Sequence, residues 1–524
     1  MKKLVTLLVA LLTGSVLVAC GENSKDPNAS PFFPDDALSI VAATELKDLE
    51  PLVMQASRDL GFPITLEFHG GTLQNSQDLK NGKFNGEVDA TWMATNRYVD
   101  LIGARGALAD ETKIATSPVA FGVNKAKAKE LGWDIKQPTW SDFADAAREG
   151  KFTFGMTDPS SSNSGFSALV SVATAMADTG SALTDHDVEK VSPRLQELFQ
   201  ALTLVSGSSG WLADVFKEDP SKADAIINYE STLHQLRAEG AAIEVIVPAD
   251  GVISADYPLS TLAEPKNDDA AAKVKALSAW LLDHQQSVAE SFRRPVSDVE
   301  NMPAELQGQT VIELPFPGNY GTVQSLVDRY NNEFRTRGNT TFVLDTSGSM
   351  EGERLDSLKE IMTSLIDGSA ATDTGNVSLR DGEMVTLQQF ASVPYVPFTG
   401  EYNSADPAVK KQFQDYIDGF QAGGETNIYD TLIDVITKTD PKAGIASIVL
   451  LTDGEVTAGR DLATFKQDYD RITLKKGTVP VFVILYGEAS VEEMNLLADM
   501  TGGAVFDALN GDLAEAFKEI RGYQ

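Results

Sequence analysis

Cysteine is almost absent. The 524-residue chain has one, Cys20, so it can form neither an internal disulfide nor a thiolate metal cluster. Histidine is nearly as scarce: His69, His186, His234 and His284 are scattered, with no H-E-x-x-H setting, which removes the usual zinc-hydrolase signature. There is also no G-x-S-x-G, no G-x-x-x-x-G-K-[ST] and no G-x-G-x-x-G after a strand, so nucleophile elbows, phosphate loops and dinucleotide turns are missing too. Basic residues are under-represented, 43 Lys and Arg against 76 Asp and Glu, for a net charge of −33. That balance argues against nucleic acid and against adsorption to anionic lipid. The acidic residues are spread along the chain, which fits a solvated surface and an affinity for cations. No internal repeat and no low-complexity tract occurs. What remains is ordinary globular composition, 42% hydrophobic and 23% charged, at a length that implies roughly two to four domains.

The first residues carry an address. Met1-Lys-Lys-Leu-Val-Thr-Leu-Leu-Val-Ala10 is a basic start running into an apolar stretch that ends at Val18, short for a membrane span. It closes in Leu17-Val-Ala-Cys20-Gly21, which resembles a bacterial lipoprotein signal with its lipobox. The resemblance implies removal of residues 1–19 and lipid attachment at Cys20, anchoring the chain outside the cytoplasm, at the cell membrane, in the periplasm or at the cell surface. A short single-pass helix is the alternative. Residues 20–36 are polar and contain proline, a plausible tether.

From Ala37 strands and helices alternate. Leu38-Ser-Ile-Val-Ala-Ala43, Ile64-Thr-Leu-Glu-Phe68, Gly86-Glu-Val-Asp-Ala-Thr-Trp92 and Val119-Ala-Phe-Gly-Val123 read as strands of a parallel, helix-flanked sheet. A second lobe follows, with Phe152-Thr-Phe-Gly-Met156 leading into Thr157-Asp-Pro-Ser-Ser-Ser-Asn-Ser-Gly165 and an apolar helix. Hydroxyls and N–H groups at that helix start suit an oxyanion or a polar ligand. Tyr257-Pro-Leu-Ser-Thr-Leu262 reads as a strand returning to the first lobe. The opening Ala42-Ala-Thr-Glu-Leu-Lys-Asp-Leu-Glu50 and the two-lobe pattern resemble type II periplasmic, extracellular solute-binding proteins over about Leu38 to Phe334. That resemblance implies lobe 1 at about 37–123 and 248–335, and lobe 2 at about 124–247. The cleft between them would be lined by Thr44, Gly71, Thr72, Thr91, Trp92, Ser161, Ser162, Asn163, Ser164 and Tyr229, and would take a small polar solute or oxyanion. Turn chemistry is the alternative role for most of these, and Trp92 and Tyr229 could equally be core aromatics.

After a connection of roughly five residues at 335–339, too short to let two domains wander apart, comes Thr340-Thr-Phe-Val-Leu-Asp-Thr-Ser-Gly-Ser-Met350. A buried strand ends in Asp345, then Ser347 and Ser349, at the place where open α/β sheets bind ligands. Such hard oxygens suit Mg²⁺, Mn²⁺ or Ca²⁺. Taken alone, D-x-S-x-S is also a turn feeding a helix cap. Two later stretches weigh against that. Gly423-Gly-Glu-Thr-Asn-Ile-Tyr-Asp430 delivers Thr426 before a helix, and Ser447-Ile-Val-Leu-Leu-Thr-Asp-Gly-Glu455 ends a strand in Asp453. Together they resemble the metal-ion-dependent adhesion site (MIDAS) of the von Willebrand factor A (VWA) domain, over roughly residues 338 to 522. The resemblance implies that Asp345, Ser347, Ser349, Thr426 and Asp453 hold the ion, some through water, and that a partner's acidic residue completes its shell. It also implies a last helix, 513–520, that can slide on ligation.

The expected molecule is therefore α/β throughout: a two-lobed periplasmic-binding-protein-like domain (37–335), then a doubly wound, Rossmann-like VWA domain (340–524). Its expected role is binding, not catalysis. It would be a membrane-anchored lipoprotein using a cation to hold a protein partner, with the solute-binding-like half as sensor or docking module. A transport receptor with an accessory VWA domain is the alternative.

Overall fold

Strand Leu38–Ala42, apolar but for Ser39, is buried at every position, and it organises the first sheet. The computed structural model describes residues 37–507 except 208, 373–374, 377, 442, 454–455 and 486–490, together with 516, 517 and 520. The leader and tether, Cys20 included, and most of the helix expected at 513–520 lie outside the described residues. Among those described, no helix is long and apolar enough to cross a membrane.

The first sheet runs in the order Ile64–Glu67, Leu38–Ala42, Ala90–Trp92, Pro258–Thr261, Thr112–Lys113. Its first three strands are parallel, as expected. Pro258–Thr261 pairs antiparallel with Ala90–Trp92, so the sheet is mixed and not wholly parallel. The reason is topological: this strand re-enters from the other lobe and needs no crossover helix to reverse its direction. The second sheet is centred on the ten-residue strand Ala115–Asn124, which pairs with Ala225–Tyr229, Ile243–Ile246, Ser254–Ala255 and Arg294–Pro295. The stretch 119–123 thus belongs to the second sheet, and the crossing between lobes comes near residue 114, before the expected boundary at 123. The first residues of this strand pair with Ser254–Ala255, which leads back to lobe 1, and with Arg294–Pro295, which leads out of it again, which makes it the connecting strand of the hinge.

Helix Asn163–Ala177 is buried along most of its length and starts hard against the end of strand Phe154–Thr157. A Cβ on Gly165 would lie 2.1 Å from the Thr157 carbonyl oxygen. Only glycine permits that approach, and it fixes where the preceding serine-rich loop can go.

The linker is firm. Helix Tyr320–Arg329 passes into a single π turn, Tyr330–Phe334. The Tyr330 ring meets Phe199 edge-on at 5.1 Å, and the Arg335 guanidinium stacks over Tyr330 at 5.9 Å. The C-terminal sheet then runs Phe398–Glu401, Met384–Phe390, Gly338–Asp345, Ile445–Thr452, Val481–Leu485, Val505–Asp507, parallel except for the first, edge strand. That edge strand begins at Phe398, where pairing starts opposite Leu387, because Pro394 and Pro397 just before it cannot donate to a ladder. Side chains alternate between two cores. Phe342, Leu344, Val449 and Leu451 face one, and Val343, Ile448 and Leu450 the other. Helices cover both faces, which is the doubly wound arrangement. Ile445, at the start of its strand, packs against the N-terminal core. The base of this sheet is therefore docked on the N-terminal module.

Gly165→Ala is expected to lower unfolding free energy by about 1–3 kcal/mol through forced overpacking, read as a fall in the urea midpoint at unchanged slope. An unshifted midpoint would show that the loop can yield.

Candidate metal centre and inter-lobe cleft

The chain leaves strand Gly338–Asp345 for the neighbour on one side, Met384–Phe390, and later returns to the other side as Ile445–Thr452. The carboxyl end of this central strand is thus a switch point, where diverging loops leave a crevice. Asp345 stands there, fully buried. Its Oδ1 accepts the Ser347 N–H at 2.8 Å and its Oδ2 the Thr452 hydroxyl at 2.5 Å. The Ser347 and Ser349 hydroxyls lie 3.1 Å apart, and Ser349 donates to Asp453 Oδ1 at 2.8 Å. Four of the five expected residues form one run of short polar contacts. The loop bearing the fifth, Thr426, is pinned beside them: Gly348 N–H donates to Gly424 O at 3.0 Å, and Gly423 N–H to Thr346 O at 2.9 Å. Thr457 holds the Thr426 N–H at 2.8 Å.

Burial raises the Asp345 carboxyl above the usual carboxylate range, and the nearby Asp453 pushes the same way, against the hydrogen bonds from Thr452 and Ser347. Two carboxylates gathered in a crevice call for positive charge. Among the described residues Arg354, from the first turn of helix Glu353–Asp367, supplies some of it by pairing with Asp453 Oδ2. Sequence reasoning missed it, although an arginine just after D-x-S-x-S on a helix start was a visible signal. The donor set consists of carboxylates and hydroxyls, which fits Mg²⁺, Mn²⁺ or Ca²⁺ and not a thiophilic metal. Among the described residues no three His, Cys, Asp or Glu side chains are grouped closely enough to hold a metal by themselves. An ion here would depend on the serine and threonine hydroxyls.

In the N-terminal module the expected cleft residues divide. Thr91 and Trp92 are sealed in the interior, and Trp92 Nε1 donates to Tyr257 O at 3.1 Å; this ring is core. The Thr72 hydroxyl is committed within lobe 1, accepting the Ala94 N–H at 2.9 Å. Ser164 sits in a hydroxyl knot with Thr157 at 2.8 Å and Ser209 at 2.7 Å, beside Ser162 at 3.3 Å. Thr44 is exposed at the start of a short 3₁₀ helix. The others meet across the lobes. A Cβ on Gly71 would approach the Ser161 carbonyl to 3.7 Å, and Asn163 Nδ2 donates to the Tyr229 hydroxyl at 2.8 Å.

Near that hydroxyl lies the carboxyl of Glu45 of lobe 1, a residue not picked out from the sequence; burial and then this carboxyl push the Tyr229 phenol up. Burial pushes the Glu45 carboxyl up to about 7, only partly offset by a backbone hydrogen bond and Arg293. Glu45 Oε1 and Asn163 Oδ1 are sealed without a hydrogen-bond partner among the described residues. The nearby arginine is not free for an anion: Arg293 binds Asp48 in bidentate fashion at 2.7 and 2.8 Å. The atoms left open there are of both kinds, the acceptors Glu45 Oε1 and Asn163 Oδ1 and, beside them, Arg293 Nε and the Tyr257 hydroxyl, which suits a polar solute that both donates and accepts hydrogen bonds.

Family comparison places both halves. Residues 39–287 match the model of the bacterial extracellular solute-binding proteins, and residues 339–519 match that of the von Willebrand factor type A domain. The chain joins an extracellular solute-binding domain to a VWA domain. Among curated proteins it is similar to inter-alpha-trypsin inhibitor heavy chain H4 of Homo sapiens, 28% identical over 207 residues, 36% of this chain and 21% of the relative. The bovine protein of the same name is 30% identical over 130 residues, 23% of this chain and 13% of the relative. The match therefore spans about a fifth or less of those relatives. Among solved structures, the periplasmic binding protein AfuA from Actinobacillus pleuropneumoniae, bound to fructose-6-phosphate, is 16% identical and covers 57% of this chain and 98% of its own, with a TM-score of 0.47. A von Willebrand factor type A structure from Catenulispora acidiphila is 18% identical, covering 36% and 42%, with a TM-score of 0.28.

Glu45 gives a pH signature. Its folded pKa lies above the ordinary 4.5, so its stabilisation is complete below about 4.5 and is lost as pH rises towards 7. Between those limits stability should fall by about 3 kcal/mol on its account, and Glu45→Gln should flatten the slope. Parallel pH profiles for the wild type and this variant in urea unfolding would refute the assignment.

Proposed function

We propose that this chain is a lipid-anchored, extracytoplasmic binding protein. Its VWA domain would use a divalent cation, held at a MIDAS-type site by Asp345, Ser347, Ser349, Thr426 and Asp453, to grip an acidic group on a protein partner. The observation that carries this reading is the run of contacts from Asp345 through Ser347 and Ser349 to Asp453. Its position supports it further. The base of the sheet rests on the solute-binding domain, while the site lies at the far end of the eight-residue strand Gly338–Asp345, roughly 23 Å away at strand rise. A partner can reach that end without displacing the rest of the chain.

The bound cation would supply Lewis acidity towards the partner's carboxylate. This chain's own residues orient the hydroxyls, through the Gly348–Gly424 contact, and hold Asp345 in place through Thr452. The role is binding without turnover, and the anchor is the Cys20 lipobox. The unpartnered Glu45 and Asn163 oxygens favour a second element in the same reading, a small polar solute held between the lobes; a receptor for solute uptake with an accessory VWA domain is the alternative use of that cleft.

Calorimetric titration with Mg²⁺ tests the site. Asp345→Ala and Ser347→Ala should weaken Mg²⁺ binding by more than the roughly 10–100-fold typical of an outer partner, with the fold retained. Unchanged affinity in both variants would overturn the proposal. Arg354→Gln should instead tighten Mg²⁺ binding by up to about fivefold, since a competing partly exposed ion pair worth up to about 1 kcal/mol is removed.

A further inference from the structure

The solute-binding domain and the VWA domain enclose a cavity of about 330 Å³, within the size range of small-molecule sites, which favour domain junctions. Lobe 1 contributes Leu73, next to Thr72, and lobe 2 contributes Ser160, next to Ser161. The cavity therefore opens on the rim of the inter-lobe cleft, and the VWA domain supplies its outer wall. Four aromatic rings line it: Tyr98 of lobe 1, Phe166 of lobe 2, Tyr320 of the linker helix and Tyr402 of the VWA domain. Between them stand amide side chains, among them Asn331, whose Oδ1 is sealed and has no hydrogen-bond partner among the described residues.

Charge narrows the ligand. One guanidinium, Arg380, faces the cavity together with two carboxylates, Asp328 and Asp381. Asp381 is already tied to Ser404, through its N–H at 2.6 Å and its hydroxyl at 3.0 Å. The lining has no surplus of positive charge for a free oxyanion. It mixes donors and acceptors between aromatic rings, the complement of a polyhydroxylated ring that offers C–H faces to the rings and hydroxyls to the amides.

The VWA wall is fixed to the cleft through one carboxylate. Asp158 is 1% exposed and heads the serine-rich loop, its carbonyl accepting the N–H groups of Ser161 at 3.2 Å and Ser162 at 2.9 Å. Its Oδ2 faces Arg335 of the linker at 3.7 Å and Arg380 of the VWA domain at 3.5 Å. The rim of the cleft and the outer wall of the cavity are held by the same group.

We propose that this junction cavity is a carbohydrate site built jointly by the two lobes, the linker helix and the VWA domain. The proposal goes beyond the reading that a small solute is held between the lobes at Glu45 and Asn163: it adds a second ligand position, at the junction, and the chemical class that this position takes. A sugar there touches both domains, so its binding also fastens the VWA domain to the lobes.

The test is calorimetry on the full chain with glucose, N-acetylglucosamine and maltose, and with sulfate and phosphate as anions. Two variants are compared. Gln324→Trp introduces an indole at the cavity wall from an exposed position of the linker helix, and Asn163→Ala removes a group of the inner cleft. The expected result is binding of at least one sugar, weakened by about tenfold or more in Gln324→Trp. Unchanged Mg²⁺ titration of Gln324→Trp checks that the VWA domain is intact. Sugar binding lost in Asn163→Ala but untouched in Gln324→Trp overturns the junction site while leaving the solute reading in place. Binding of anions alone, or no sugar binding up to about 10 mM, overturns the carbohydrate assignment.

Discussion

Two carboxylates drawn into one crevice, Asp345 and Asp453, set the terms for the VWA domain. Like charges at close range in a poorly solvated place repel, and the structure meets that with hydroxyls, a backbone N–H and one arginine. None of those neighbours removes the excess negative charge completely. The arrangement is one that a divalent cation would relieve, and its hydroxyl-rich surroundings would leave such a cation electrophilic enough to attract a further carboxylate. The rest of the domain serves this point. Central apolar strands bring the two acids to the same edge, and the glycines at 348 and 424 let two loops close on each other.

The same strand gives the domain its polarity. Gly338–Asp345 begins at the linker, beside Arg335 and the docked Ile445, and ends at the candidate metal site. One end is a foot on the solute-binding domain. The foot is polar as well as apolar: Asp158, Arg335 and Arg380 form a buried charged cluster in which burial and the neighbouring guanidinium depress Arg335 to about 10. The desolvation cost of such a buried cluster offsets much of its attraction, so it adds little to the strength of docking. It joins the VWA domain to the loop that heads the rim of the cleft.

In the solute-binding domain the lobes meet through Glu45, Tyr229 and Asn163, and the arginine nearby is held by Asp48. The region is polar but not basic. This distinguishes it from the oxyanion cradle suggested by the run of serines at 160–164, whose hydroxyls turn out to bond largely to one another, to Asp158 and to Ser209. A serine-rich turn before a helix looks the same in sequence whether its hydroxyls face a ligand or each other.

The sequence alone determined the two α/β halves, the short firm link between them and the identity of the residues at the candidate metal site. Each of these is written in local pattern: apolar runs bounded by Asp, Ser, Gly and Thr at strand ends, where backbone geometry leaves few choices. It did not determine which of the cleft residues face one another. Trp92 and Thr91 end a strand just as exposed site residues would, and only the antiparallel return of Pro258–Thr261 covers them. Nor could it show Arg354 against Asp453, Glu45 against Tyr229, or Asp158 between two arginines, because those pairs join positions roughly one to two hundred residues apart. Such contacts depend on how lobes and domains pack, and packing is settled by the whole chain at once.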